Sequence, residues 1–267
     1  MKSKNNILVV IFGCLGRSLH YTNINHVEKI FDTLSDNNIS YKTCYINNDV
    51  DKIDGVRSDT SYKKFKNVVN SHFKKTISQN EIDSIILKKY PKYKSLFGQI
   101  GGDNNYERNY IEQYGLNPIR NSYIETLASE YINQNKSEFS HSLVFCSDLW
   151  FDKKLDINWF NETHVIVSDV NPGDGYTNGF YFGKSSDIDK LLNSFGNLSK
   201  LATHDYERII KNNSKIHSIS VRPKKYRFLK IRATGKRAYN CRGMRRTVWK
   251  KIRHIESDFF EKTKKKF

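Results

Sequence analysis

No stretch of this 267-residue chain approaches the roughly 20 consecutive apolar residues that a membrane-spanning helix needs. With 4 Pro and no Gly/Ser-rich tract, no flexible linker marks a domain boundary. The 4 cysteines, Cys14, Cys44, Cys146 and Cys241, stand far apart without a C-x-x-C pair, so the common structural zinc patterns are excluded. Three of them lie in or beside apolar strand-like runs, where a thiol behaves as a small core hydrophobe, and a reducing compartment is expected. No small-residue cleavage site follows the apolar residues 7–15, so residues 1–16 read as a first strand and not as a secretory signal. The turn Gly13-Cys14-Leu15-Gly16-Arg17 also lacks the G-x-G-x-x-G spacing of a dinucleotide fingerprint.

What is present is enough apolar material, 37% hydrophobic and 13% aromatic, to bury the core of one large α/β domain or of a domain with an appendage. The formal net charge of +17 is unevenly spread. Residues 222–267 carry 18 Lys and Arg against three acids, while the other 221 residues are nearly neutral. A main domain at 1–232 and a basic segment at 233–267, with a helix over 245–260, is the expected division. Such a segment can dock on an anionic membrane surface, nucleic acid or an acidic partner through a screened, sequence-independent attraction. A nucleic-acid-binding protein would use this tail and leave the α/β domain as a scaffold. The near neutrality of the main domain argues against it, and no specific nucleic acid partner is expected.

Residues 6–12 form a β-branched apolar run, followed by a two-glycine turn that permits close backbone approach to a ligand and by Arg17, suited to a diphosphate. Residues 25–34 repeat apolar side chains at the helical period, and 39–46 alternate as a second strand, which predicts a right-handed parallel β-α-β opening. The polar stretch 48–105 reads as an irregular excursion over one side of the sheet with one helix at 81–89. A long helix is expected over 119–134, with Arg120 and Asn121 at its start. The run 143–146 is too short for a helix and too continuous for a half-exposed strand, so it reads as a central strand buried on both faces. Asp148 stands just beyond its carboxyl end, where open α/β sheets bind ligands. A strand at 165–168 then leads into a loop dense in Gly, Asp and Asn, which either shapes a site or makes a plain surface hairpin, and a further strand begins at Phe180. A serine-capped helix over 187–192, a helix from Thr203 through Ile210, and strands at 215–221 and 226–231 complete the pattern.

The order of these pieces resembles the GT-A-type glycosyltransferases. The resemblance is carried by Phe12-Gly13-x-x-Gly16-Arg17, the Arg120-Asn121 helix, Ser147-Asp148-Leu149-Trp150-Phe151, Asn178-Gly179-Phe180-Tyr181-Phe182-Gly183, His204-Asp205-Tyr206-Glu207 and Phe228-Leu229-Lys230-Ile231-Arg232. It is greatest to the small soluble enzymes that large DNA viruses encode to glycosylate capsid proteins, and it spans about residues 6–232. It implies a GT-A-like, Rossmann-like, mostly parallel sheet flanked by helices, with a basic helical appendage. The implied activity is transfer of a sugar from a nucleoside diphosphate donor, UDP favoured over GDP, to a hydroxyl of a glycan or glycoprotein. A cytoplasmic enzyme, in the host cytoplasm if viral, either soluble or peripherally bound to a membrane, is expected.

In that fold a DxD-type motif holds Mn²⁺ or Mg²⁺ against the donor diphosphate. Here the triplet is Cys146-Ser147-Asp148, so Asp148 keeps the usual ligand position while Cys146 replaces the first carboxylate. His204 is the implied second ligand. The resemblance places Phe12, Gly13, Arg17, Arg120 and Asn178 around the nucleotide, the two arginines neutralising the diphosphate if the cation is weakly held. Asp174, with Asp169 as the alternate, is implied as the general base that deprotonates the acceptor hydroxyl in an inverting displacement. Loss of the first carboxylate is also what a non-catalytic nucleotide-binding module would show.

Overall fold

The structure is a computed structural model that describes residues 6–50, 73–97, 116–170, 175–201 and 206–231. The basic segment 233–267 with its expected helix, and the site candidates Asp174 and His204, lie outside the described residues, as does the side chain of Arg17.

Strand β1 (Asn6–Gly13) is buried along all but its two ends, as its unbroken apolar run requires. Helix α1 (Leu15–His26) continues through a π-helical turn (Val27–Phe31) into α2 (Asp32–Asp36), so the expected helix at 25–34 is the later half of a longer helical run. Strand β2 (Ser40–Asp49) lies parallel to β1, which completes the expected β-α-β unit. Strand β3 (Phe73–Ser78) then pairs parallel with β2 at the sheet edge. The expected irregular excursion therefore contains an edge strand, whose lysines and polar alternation an edge tolerates. Ser78 caps α3 (Gln79–Lys89), accepting a hydrogen bond from the Glu81 amide at 3.2 Å.

Helix α4 (Leu116–Asn135) leads to β4 (His141–Cys146), which pairs parallel with β1. A short strand β5 (Leu149–Phe151) follows, then β6 (Val165–Ser168) and β7 (Phe180–Lys184). Helices α5 (Ser185–Leu192), α6 (Leu198–Leu201) and α7 (Tyr206–Ile216) precede β8 (Val221–Lys224) and β9 (Phe228–Lys230). Two expectations are corrected. The strand expected at 215–221 begins only at Val221, because α7 runs on through Ile216. The serine cap is not formed, since Ser185 is already helical and its hydroxyl turns inward to donate to the Phe139 carbonyl at 2.7 Å.

The main sheet has seven strands in the order β3-β2-β1-β4-β7-β6-β8. Among these strands β7 runs antiparallel to both neighbours, β4 and β6, and the other neighbouring pairs are parallel. The segments at 165–168 and 180–184 therefore pair antiparallel inside the sheet and are largely buried, while 171–174 of the loop that joins them lie outside the described residues. A second sheet of two antiparallel strands, β5 and β9, stands beyond the end of β4. Strand alternation divides the core by face. Ile7, Val9 and Ile11 join an aromatic cluster with α1 and α2, while Leu8, Val10 and Phe12 join an aliphatic cluster with α3 to α7. No helix among the described residues is long and apolar enough to cross a membrane.

Candidate functional site

The chain leaves the carboxyl end of β1 toward β2, and β4 enters on the other side of β1, so a crevice opens between their ends. A cavity of about 210 Å³ occupies it. Phe12, Gly13 and Cys14 form one side, and Cys146, Ser147 and Asp148 the opposite one. Asn48 closes it from β2, Asn178 and Gly179 from the approach to β7, Arg120, Asn121 and Glu125 from α4, and Lys230 from β9. Five residues expected around a nucleotide and its cation, Phe12, Gly13, Arg120, Asn178 and Asp148, thus share one lining. Asn48, Glu125 and Lys230 share it too and were not anticipated.

Backbone geometry explains why the edge is open. Gly13 has φ of 113° and Gly179 φ of 88°, conformations that a side chain strains. A Cβ on Gly179 would lie 2.8 Å from the Cys146 sulfur. The Ser147 amide donates to the Phe12 carbonyl at 2.9 Å and the Cys146 amide to the Gly179 carbonyl at 2.9 Å, which carries the strand pairing just past the end of β4. From β2, the Asn47 side-chain oxygen accepts from the Leu15 amide at 3.1 Å and so caps the first turn of α1.

The Asp148 segment is held from two sides. Thr22 donates to the Ser147 carbonyl at 2.6 Å, and Asn25 exchanges two hydrogen bonds with the Phe151 backbone, at 3.0 and 2.6 Å. His26 Nε2 meets the Leu149 carbonyl at 2.7 Å and therefore donates, which fixes the neutral tautomer. Burial holds this imidazole neutral, its pKa lowered to about 4 although the Leu149 bond and the Asp148 charge oppose the change. On the other flank the Ile231 amide donates to the Asp148 carbonyl at 2.7 Å. The backbone of Asp148 is fixed while its side chain, half-buried, faces the cavity.

Charges in the lining are unequally committed. Arg120 makes a bidentate pair with Asp83, at 2.7 and 2.6 Å, and also donates to Asn117 at 2.9 Å. Glu125, 1% exposed, accepts from the Tyr181 hydroxyl at 2.9 Å, and that hydroxyl accepts from the Gly179 amide at 3.3 Å. Lys230 reaches across to the Asn178 side-chain oxygen at 3.2 Å. Burial, joined by the Asp148 charge, pushes the Cys146 thiol well up, so it is protonated at neutral pH, with Lys230 opposing the shift.

Asp169 is exposed and stands outside the cavity lining, its amide bonded to the Lys224 carbonyl at 3.0 Å. Next to Asp174, Gly175 is pressed against α7, where a Cβ would come within 2.0 Å of the Glu207 backbone, and the Tyr176 amide donates to the Glu207 carbonyl at 3.0 Å. Of the missed residues, Asn48 follows the same strand-end logic as Asp148 and was legible. Glu125 also left a signal, a charge interrupting the apolar stripe of Ile124, Leu127 and Ala128. Lys230 left none, because it reads as the polar member of an alternating strand.

The donor set can be tested against Mn²⁺ or Mg²⁺, which take oxygen ligands. A protonated thiol at Cys146 is no ligand for a hard cation, and Glu125 is turned to Tyr181. Among the described residues no group of three His, Cys, Asp or Glu side chains is gathered to hold a metal. These residues therefore supply an incomplete set around Asp148, and His204 lies outside them. No protein-family model matches the chain, and no curated protein matches it either.

Proposed function

We propose that this protein is a GT-A-like glycosyltransferase moving a sugar from a nucleoside diphosphate donor, UDP favoured over GDP, to a hydroxyl of a glycan or glycoprotein. The observation that carries the reading is the convergence of Phe12, Gly13, Arg120, Asp148 and Asn178 on one cavity at the carboxyl-end crevice of the sheet. These positions were assigned from a motif order spread over more than 160 residues. At the same place the first turn of α1 follows a glycine of positive φ, an arrangement suited to an anionic group.

In the proposed reaction the acceptor oxygen attacks the anomeric carbon. The bond from that carbon to the diphosphate oxygen breaks, its electron pair remains on the nucleoside diphosphate, and a carboxylate takes the acceptor proton. Asp174 is proposed for that base, with Asp169 as the alternate. Asp148 orients the donor from its fixed backbone. The basic segment 233–267 is proposed to bring the enzyme to an anionic membrane surface or to its acceptor.

Thermal unfolding with UDP, GDP and UDP-sugars, run beside a donor-hydrolysis assay, tests the reading. A ligand at a hundred times its Kd stabilises by about 2.7 kcal/mol, which for a chain of this size raises Tm by on the order of 5 °C or more. No stabilisation by any nucleotide contradicts the proposal. Stabilisation without hydrolysis or transfer would identify a non-catalytic nucleotide-binding module.

A further inference from the structure

We infer that Lys230 supplies the positive charge that holds the donor diphosphate, in the place where the resemblance expects a divalent cation. The inference rests on the nucleotide-sugar reading above and deepens it. Two cationic side chains of the described residues line the cavity, Arg120 and Lys230. Arg120 already has its charge paired, because Nε and Nη2 donate to the two Asp83 carboxylate oxygens at 2.7 and 2.6 Å. Withdrawing it would leave Asp83 without its partner. Lys230 is bound to a neutral amide oxygen, Asn178 at 3.2 Å, and among the described residues it forms no ion pair. A lysine held by one neutral acceptor has two further N–H donors to offer an anion.

Its position is set by the backbone. Strand β9 pairs with β5 in the register Leu149↔Lys230, so Lys230 lies directly across from the residue after Asp148. The Ile231 amide donates to the Asp148 carbonyl at 2.7 Å, which ties the backbone of β9 to the Asp148 turn. Lys230, Asp148 and Cys146 line the same cavity. There the described carboxylates and thiols do not assemble a hard-cation site.

In the transfer step the carbon–oxygen bond to the diphosphate breaks and the electron pair stays on the leaving oxygen. The ammonium stabilises that growing charge without giving up a proton, which is electrostatic catalysis by a fixed donor. Lys230 contacts the leaving group in this account, and Asn178 positions the lysine.

Titration of the full-length protein with UDP and GDP in EDTA, with uridine as the phosphate-free control, tests this. The expected result is binding without a divalent ion, weakened about ten- to a hundredfold by Lys230→Met for the diphosphates and unchanged for uridine, as loss of a charge-assisted contact requires. Lys230→Arg recovers most of the loss, and the diphosphate affinity of the wild type falls with added salt. If Lys230→Met lowers Tm enough to confuse the reading, Lys230→Gln, which keeps a donor to Asn178 but no charge, replaces it with the same expectation. Binding that disappears in EDTA and returns with Mn²⁺, or equal UDP affinity in the wild type and the neutral variants, overturns the inference and leaves the glycosyltransferase reading standing. Absence of nucleotide binding by the wild type under every condition overturns both.

Discussion

On one face of the central sheet Phe145, Phe151, Trp159, Phe180, Phe182 and Tyr226 pack ring against ring, whereas on the other Leu8, Val10, Ile124, Leu127 and Val144 meet the helices through aliphatic side chains. Phe151 alone stands within 6.4 Å of the rings of Phe145, Phe180, Tyr226 and Phe228. Rings have few rotamers and large contact areas, so this face makes a stiff buttress. It is also the face on which Thr22, Asn25 and His26 of α1 hold the Asp148 segment by its backbone. The aliphatic face contributes the α4 wall of the cavity, and there the polar link to the strands runs from Tyr181 to Glu125. The two walls therefore serve different purposes. One holds a backbone from a ring-packed face, and the other presents polar side chains from a helix that packs largely through aliphatic side chains.

The contrast can be broken most easily at Phe151. Phe151→Ala is expected to cost about 4 kcal/mol in denaturant unfolding, because several rings lose a shared partner at once. Ile86→Val, on the aliphatic face, is expected to cost only about 1 kcal/mol. Equal costs after allowing for the atoms removed would show that the aromatic face is no stiffer than the other.

The next largest effect is on pH dependence. The His26 imidazole has its pKa lowered to about 4, from 6.5, so the unfolded chain takes up a proton in a range where the folded protein does not. Its contribution is complete above pH 6.5 and is lost as pH falls toward 4, by on the order of 3 kcal/mol. Stability measured at pH 7.5 and 4.5 should therefore differ less in His26→Gln than in the wild type. An identical difference in the two proteins would remove His26 from the buttress.

On the aliphatic face Tyr181→Phe is expected to cost about 2 kcal/mol, since it takes the hydroxyl from Glu125 and from the Gly179 amide together. Nucleotide affinity should fall with it, because that link positions the approach to β7. The smallest effect sharpens the same wall. Gly179→Ala imposes a side chain at φ of 88° beside the Cys146 sulfur, at a cost of about 1 kcal/mol. Pairing it with Cys146→Ala should recover the steric part and leave the conformational part. Full recovery, or none, would show that one of the two strains is absent.

Much of this architecture could be read from residue patterns, for reasons that the exceptions make plain. β1, β4, β6 and β7 announce themselves because strands covered on both faces must be continuously apolar. β3 escaped notice because an edge strand needs neither continuity nor hydrophobicity. Phe12, Gly13 and Asp148 were legible as strand-end residues, a property local in sequence. The commitment of Arg120 to Asp83 was not, because it depends on α3 and α4 lying side by side, a tertiary fact with no local trace. Lys230 was hidden for the same reason, since its nearness to Asp148 comes from a second sheet pairing residues 81 positions apart in the register Leu149↔Lys230.

The central claim is that the crevice between the ends of β1 and β4 binds a nucleoside diphosphate. A crystal structure with UDP or GDP at saturation tests it most directly. The account predicts the diphosphate between the Gly13 turn and Lys230, with the ribose or base near Asn48. A nucleotide seated away from this cavity, or an empty cavity at saturating concentration, would contradict it.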